Sequence, residues 1–434
     1  EELDIREELT STITRNVGQG ALFYKTLNEA ISDIVARYRP KEYSTGGDPI
    51  VILNMVSGFV MDETILVRNS NLGWIRITGD DSTTTVKRPS SGTVFKAVNA
   101  TLPEIGQQFT MDTSTSSNGQ EGIRIENNSY VRIRDNSGFK DAVGSNLRLV
   151  NSCSANIGSN CDFSNSLFRD NIVIIYNSSL LCSNNLLSNN AGNDPSNTSG
   201  GDGCVVIRNS HLRLGSNCEF NSNRENGLFV RECSSSTAAG ITANFNGNSG
   251  IVIIRNAYCL LKDLNANNNS AGVVCSRSSS CALRGFICNN NNLEGLGIGS
   301  NSYLTVYSGT NILSSELNDN GRDGLRMVRN ASFNLVIPGS GPSKGISMKL
   351  DIRRNGSYGV RCLTNSSGLL NTNTNVSGSG FTRIFNNTVG QIRVDELSYL
   401  DITGVTNSTT GSTLPSTNIT VNDSNYNSQG LIKA

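Results

Sequence analysis

The sequence predicts an all-β fold, a parallel β-helix, from a signature that recurs ten times in 434 residues. Each copy has a Gly or Asn start, four mostly apolar residues, and usually an Asn at the sixth position after the start. The copies begin 22 to 35 residues apart, a spacing typical of a solenoid with insertions. The starts are Gly122, Asn146, Asn171, Gly203, Gly227, Gly250, Gly272, Gly295, Gly324 and Gly359.

The residues after each start alternate like those of a β-strand with one face in a core. The first and third are apolar in every copy, as in Ile123 and Ile125, and this period of two indicates an extended strand. A second alternating strand follows most copies, as in Leu212 and Leu214. Two or three short strands in each repeat, with like residues stacked on like, describe the coils of a β-helix.

The sixth position is predicted to be a corner of the coil. Because Gly and Asn tolerate the left-handed backbone region, both the start and the sixth position are expected to turn sharply. Stacking of the coils would then join the asparagine side chains into ladders along the corners. Asn fills the sixth position in seven copies, at Asn128, Asn177, Asn209, Asn256, Asn301, Asn330 and Asn365.

The outward-facing positions of the middle strands form an apolar stripe. A strand that is apolar on both faces is covered on both faces, and a long exposed apolar stripe marks an interface. The sequence therefore favours a homo-oligomer with coils side by side over a long loop packed on the stripe. The predicted interface residues are Val173, Ile175, Val205, Ile207, Phe229, Val252, Ile254 and Val274.

Four segments are expected along the chain: an N-terminal segment over 1–16, a β-helix entry over 17–120, the coils over 121–402 and a Ser/Thr/Asn-rich segment over 403–434. Leu27, Ala30, Ile31 and Ile34 have helical spacing and predict a short helix that caps the open apolar end of the solenoid. The last segment is expected to form a terminal cap, and a disordered tail is the alternative. No signal peptide is recognised at the start of the sequence, so a secreted protein is not expected.

The entry segment carries a resemblance to a known family. Gly18-x-Gly20-x-x-Phe23-x-x-Thr26-Leu27-x-x-Ala30-Ile31, followed by a strand and Ile75-Arg-Ile-Thr-Gly79, resembles the entry to the β-helix of bacteriophage tailspikes. Those proteins are pectate-lyase-like, right-handed parallel β-helices, and the resemblance extends in architecture over 17–405. It implies a homotrimer on a virion tail, made in the host cytoplasm and joined to other tail proteins through its N-terminus. Such a protein binds host surface polysaccharide and often cleaves it. No large C-terminal or head-binding domain is evident, so the chain would be a short member.

Composition excludes several classes of function. The formal net charge is zero, which does not favour a nucleic-acid partner. No apolar run reaches the ~18 residues that a membrane span needs. The eleven cysteines fall mostly on inward positions and are interpreted as free core residues in a reducing compartment. Without a Cys-x-x-Cys pair, neither a metal site nor a cofactor is expected.

Carboxylates are the predicted source of chemistry, because His211 is the single histidine. Glycoside hydrolysis needs two carboxylates, about 5–5.5 Å apart for retention or about 6.5–9.5 Å apart for inversion, and acids on neighbouring coils offer such spacings. The structural alternative is that these acids cap corners or pair with Arg208, Arg224 or Arg231. The predicted catalytic residues are Asp170, Asp202 and Glu225, with Glu294, Asp323, Asp162 and Glu219 as alternatives.

Sugar binding is expected at outward tyrosines and one arginine: Tyr130, Tyr258, Tyr303 and Arg255. The three tyrosines share the position two residues past a corner, but they do not fall on consecutive coils. The leading hypothesis is a trimeric tailspike that recognises host polysaccharide, lipopolysaccharide or capsule, and cleaves it as an endoglycosidase. A non-catalytic adhesin of the same fold is the second hypothesis. A monomeric secreted polysaccharide lyase is the third, and the apolar stripe disfavours it.

Overall fold

The computed structural model describes residues 5–20, 24–41, 49–87, 92–112, 121–194, 196, 200–307, 314–335, 349–371, 381–394, 398–403 and 431–433. The chain divides into two compact units, Glu1–Val205 with Ser210–Arg213, and Val206–Asn209 with Leu214–Ala434. The strands Cys204–Ile207 and His211–Leu214 are shared between the two units.

Parallel pairing with the equivalent strand of the next repeat builds the first unit. Ile123 lies opposite Leu147, and Leu147 lies opposite Ile172, so each coil stacks one repeat further along the chain. The strands are Glu7–Glu8, Ile13–Val17, Tyr38–Arg39, Val51–Met55, Val60–Met61, Ile65–Arg68, Ile75–Gly79, Thr83–Val86, Phe95–Val98, Glu104–Ile105, Gln108–Met111, Ile123–Glu126, Tyr130–Ile133, Gly138–Lys140, Leu147–Val150, Ser154–Ile157, Ile172–Ile175 and Ser179–Cys182.

The second unit repeats the same parallel scheme. Ile251 lies opposite Val273, and Val273 lies opposite Leu296. The strands are Cys218–Glu219, Leu228–Arg231, Ser235–Ala239, Ile241–Thr242, Ser249–Ile254, Tyr258–Asn265, Ala271–Ser276, Ser280–Ile287, Leu296–Gly299, Tyr303–Tyr307, Ser314–Glu316, Leu325–Val328, Ser332–Leu335, Lys349–Arg353, Tyr358–Leu363, Ser367–Asn371, Phe381–Phe385, Gly390–Val394, Tyr399–Thr403 and Leu431–Lys433. Each unit is therefore a parallel β-helix, as predicted.

The inward positions of the strands form the core of each unit. Ile123 and Ile125 in the first unit, and Ile251 and Ile253 in the second, have no exposed surface, which confirms the predicted alternation. Burial of each such side chain stabilises the fold by about 1.5–3 kcal/mol. Ten of the eleven cysteines are buried and Cys233 is exposed, and none of the eleven, all of which lie in the described ranges, forms a disulfide.

The corners use two consecutive left-handed residues. The sixth position has the predicted left-handed backbone in all ten copies, and the residue before it has the same conformation, as in Arg329 (φ 59°) and Asn330 (φ 59°). The sequence did not reveal the first residue of the pair, because side chains as different as Tyr176, Glu232 and Arg255 occupy it. A left-handed conformation costs about 1–2 kcal/mol for most residues, so stacking on the neighbouring coils must stabilise these corners.

The prediction that the glycine starts are left-handed is wrong. Gly250 and its counterparts are absent from the positive-φ residues of the described chain. Glycine is needed there because neighbouring backbone approaches closely: a Cβ atom at Gly250 would lie 2.8 Å from the carbonyl oxygen of Gly272 and 2.9 Å from that of Ala243. Real Cβ atoms do not approach oxygens so closely.

Asparagine ladders run along both exposed and buried parts of the second unit. At the exposed corners, Asn365 donates to Asn330 at 2.8 Å and Asn330 donates to Asn301 at 2.9 Å, as predicted. A second, buried ladder lies within the polar stretch that precedes the starts, where the sequence indicated only polar linkers. Its members are Asn223, Asn246, Asn269, Asn291, Asn320, Asn355 and Asn387.

A helix occupies Leu27–Arg37, near the predicted place. The Thr26 hydroxyl accepts the Glu29 amide proton as an N-cap, and the apolar face packs against the strands Ile13–Val17 and Val51–Met55. The role of this helix as the solenoid cap stays a prediction. No helix among the described residues is both long and apolar enough to cross a bilayer. Most of the predicted C-terminal cap lies outside the described residues.

The apolar stripe keeps little exposed surface within the single chain. Val173, Ile175, Val205 and Ile207 are buried, and Phe229, Val252, Ile254 and Val274 are half-buried. Side chains directly above and below a residue in a parallel stack cover its flanks, because the coils are only about 4.8 Å apart. The assignment of these residues to an interface stays a prediction.

Candidate functional site

In the second unit, two of the predicted catalytic acids are held in ion pairs. Glu294 and Asp323 lie on adjacent coils, since the Gly295 amide donates to the Asp323 carbonyl oxygen at 3.2 Å. Glu294 pairs with Arg326 at 2.6 Å, and Asp323 lies 3.9 Å from Arg361. Both acids are buried, Glu294 with 8% and Asp323 with 1% of its surface exposed. These contacts match the structural alternative for such acids, although different arginines provide the positive charge.

The acids that precede the starts in the first unit differ in their contacts and in their exposure. Glu121 lies between Arg124 at 3.0 Å and Arg148 at 3.1 Å. Further along, Asp170 accepts the Asp202 amide proton at 2.9 Å, so the structure brings these two predicted catalytic residues together. Asp202 is buried and Asp170 is partly exposed. Asp170 is therefore the more accessible acid of this pair.

The remaining predicted acids make local contacts. Asp162 lies 3.5 Å from Lys140 and accepts the Ser164 amide proton. Glu219 accepts a hydrogen bond from the Asn221 side chain at 3.2 Å. Glu225 is half-buried. Within the described residues, no group of three His, Cys, Asp or Glu side chains is placed to hold a metal ion.

Two predicted sugar-binding tyrosines lie on one outward face of the second unit. Tyr258 and Tyr303 pair in register with Ser280 between them, so they stand two coils apart, about 10 Å. Their exposed fractions are 43% and 42%. This pair and its neighbours Lys262, Arg284 and Tyr307 form the tyrosine face. Arg284 lies 5.6 Å from the Tyr307 ring centre, a cation–π distance.

The other two predicted binding residues lie elsewhere. Arg255 occupies a left-handed corner and pairs with Glu232 at 2.9 Å. Tyr130 belongs to the first unit and is half-buried. Burial raises the pKa of its hydroxyl, which hydrogen-bonds with the Asn156 side chain.

Tyr130 lines a groove of about 650 Å³ that the sequence did not reveal. Three arginines, Arg76, Arg132 and Arg134, share this groove with the single acid Glu104. Glu104 is buried, with the Arg76 side chain at 2.6 Å and those of Arg132 and Arg134 at 3.2 and 3.3 Å. We call these five residues the arginine groove. The groove falls within the volume range of small-molecule sites.

Comparison with known proteins gives no family assignment. No protein-family model matches the chain, and no curated protein matches it. Among solved structures, the chain is similar to the Dettilon tailspike protein, with a TM-score of 0.44 and 14% identity over 80% of this chain and 62% of that one. It is also similar to the A-module of the Azotobacter vinelandii mannuronan C-5 epimerase, with a TM-score of 0.38 and 12% identity over 82% and 86% of the two chains.

A third similar structure is full-length tailspike protein 2 from an Escherichia coli O157:H7 bacteriophage. Its TM-score is 0.34 and its identity 11%, over 81% of this chain and 38% of that one. The chain thus spans less than two thirds of the length of either tailspike. The strand register described above is what establishes the parallel β-helix.

Proposed function

We propose that this protein recognises a host cell-surface polysaccharide, either lipopolysaccharide or capsule, as the tailspike of a bacteriophage tail. The tyrosine face is the observation that carries the proposal. The entry motif from Gly18 to Ile31, which resembles that of tailspikes, supports the viral context. In this proposal, residues 1–16 attach the protein to other tail proteins.

The chemistry of the tyrosine face suits an extended glycan. A pyranose ring presents C–H groups that pack on an aromatic ring, while its hydroxyls need hydrogen-bond partners. Tyr258 and Tyr303 offer half-exposed rings, and the neighbouring Lys262 and Arg284 offer cationic donors. Since the two rings are two coils apart on one face, a glycan chain that runs along the stacked coils contacts both rings.

Glycan binding by Tyr258→Ala and Tyr303→Ala tests the proposal. Loss of one ring contact is expected to weaken binding about 10-fold, and loss of both about 100-fold, because each is worth about 1–2 kcal/mol. Leu181→Ala is the control, since Leu181 is a comparably exposed apolar side chain in the first unit. Binding to a panel of purified bacterial polysaccharides is the measurement. Polysaccharide binding that survives the double substitution unchanged would refute the role of the tyrosine face.

We further propose that the protein cleaves its glycan, with Asp170 and Asp202 as the first candidates for the two carboxylates. The hydrogen bond from the Asp202 amide to the Asp170 carboxylate and the partial exposure of Asp170 support this choice over Glu294 and Asp323, which are both buried. Asp170→Asn is expected to lower the release of oligosaccharides about 10²–10⁴-fold, the contribution of a general acid or base. If the wild-type protein binds polysaccharide but releases no oligosaccharide, it is a non-catalytic adhesin.

The homotrimer stays part of the proposal. The half-buried tips of Phe229, Val252, Ile254 and Val274 are the surface that a partner chain would cover. Sedimentation equilibrium should give about three times the chain mass of 46.4 kDa. A monomer at micromolar concentration would exclude the side-by-side trimer.

A further inference from the structure

The arginine groove has a surplus of positive charge on a surface that the register makes continuous. Glu104 pairs with Arg76, and Ile105 pairs with Ile133, so Arg76, Glu104 and Arg132 occupy the same outward position on three successive coils. Arg134, just past the end of the strand Tyr130–Ile133, donates to the same carboxylate. One carboxylate faces three guanidinium groups, which gives the groove a formal charge of +2.

Glu104 cannot satisfy all the donors around it. A guanidinium group carries five N–H donors, whereas a carboxylate offers two oxygens. Arg76 binds one oxygen, while Arg132 and Arg134 share the other. The Arg132 side chain is 55% exposed. Glu104 therefore orients the arginines, and most of their N–H groups remain available for a second anion.

The walls of the groove add contacts for a neutral ring. Tyr130 contributes an aromatic ring, Thr12 and Thr101 contribute hydroxyls, and Ile52 and Leu102 contribute apolar surface. Planar guanidinium groups bind carboxylates and phosphates in a bidentate manner. Cationic donors next to an aromatic ring and hydroxyls match a sugar that bears an acidic group.

We propose that the arginine groove binds the carboxylate or phosphate group of an acidic sugar residue in the polysaccharide. This inference rests on the proposed function and narrows its ligand to an anionic glycan. The anion lies against Arg132 and Arg134, and the sugar ring packs on Tyr130. The first unit thus selects for charge, independently of the tyrosine face in the second unit.

Titration with monosaccharides tests the groove separately from polysaccharide recognition. The probes are glucuronate for the carboxylate, glucose 6-phosphate for the phosphate, glucose as the neutral counterpart and inorganic phosphate as a free anion. At least one acidic sugar should bind 10-fold or more tightly than glucose. Arg132→Gln and Arg134→Gln should each weaken its binding about 10-fold, since a charge-assisted hydrogen bond is worth about 1.5–3 kcal/mol.

Arg68→Gln is the matched control, because Arg68 is an exposed arginine on another sheet of the same unit. This variant should bind the acidic sugar with the affinity of the wild type. Equal binding of glucose and both acidic sugars, or acidic-sugar binding that is unchanged in both Arg132→Gln and Arg134→Gln, would overturn the proposal. So would inorganic phosphate binding as tightly as the acidic sugar of higher affinity, which would reduce the groove to a general anion site. If the acidic sugar binds as expected and no polysaccharide does, the groove stands and the proposed function fails.

Discussion

Substitution of Asn269 by Ala should strongly destabilise the second unit. The Asn269 side-chain oxygen accepts protons from the amide of Asn246 at 2.8 Å and from its side chain at 3.0 Å. The Asn269 side-chain nitrogen donates to the Ala243 carbonyl oxygen at 2.9 Å. Alanine would leave two buried donors and one buried acceptor without partners. Each such group costs about 1–3 kcal/mol, so we expect the free energy of unfolding to fall by about 4 kcal/mol.

Thermal unfolding, followed by circular dichroism, measures this effect. A loss of 4 kcal/mol lowers the midpoint by about 10 °C for a cooperative unit of about 200 residues. Hydrogen exchange should also accelerate in the strands Ser249–Ile254 and Ala271–Ser276, which begin just after Asn246 and Asn269.

Asn330→Gly provides the matched control for the buried ladder. Asn330 belongs to the exposed corner ladder, and its backbone is left-handed, with φ 59°, a conformation that Gly adopts without strain. Loss of the Asn330 side chain should lower the free energy of unfolding by less than about 1 kcal/mol, because water replaces the exposed hydrogen bonds. A midpoint change below about 2 °C for Asn269→Ala, or equal changes in the two variants, would refute the importance of the buried ladder.

Two further predictions concern the close backbone approach and the thiols. Gly250→Ala should lower the free energy of unfolding, measured by chemical denaturation, by about 3 kcal/mol. Gly297→Ala is the control and should be neutral, because a Cβ atom at Gly297 would meet nothing closer than 4.0 Å. Equal effects of the two substitutions would contradict the steric explanation. At pH 8, a thiol reagent should rapidly label Cys233 of the native protein, because this side chain is exposed. Buried cysteines should react slowly, since burial raises the pKa of Cys161 to about 11 and that of Cys275 to about 12. Cys233→Ser should abolish this rapid phase, and rapid labelling of several cysteines would mean that the core opens in the native state.

The candidate site was only partly predictable from the sequence. The shared position of Tyr258 and Tyr303 after their corners placed both rings on one face, because position relative to a corner sets the direction of a strand side chain. The candidate acids were also recognised, but Arg326 and Arg361 were not identified as their partners. Their pairing, as between Glu294 and Arg326, depends on how adjacent coils are staggered, which a repeat alignment does not give.

The arginine groove escaped sequence reasoning for a related reason. Arg76 and Glu104 lie before the first copy of the signature, at Gly122, so no aligned repeat indicated that they stack with Arg132. Charged residues in separate short strands normally indicate solvated positions. Contact between them is a consequence of the register, in which Glu104 lies opposite Arg76.

The sequence by itself determined the coil, because the alternation of apolar residues and the asparagine at each corner are local properties of every repeat. Only the tertiary structure showed the structural roles of the residues at the starts and in the polar linkers. The glycine starts are required by the approach of neighbouring backbone, and one row of asparagines is buried whereas another is exposed. Both outcomes depend on atoms one coil away, at a distance along the chain that changes from repeat to repeat.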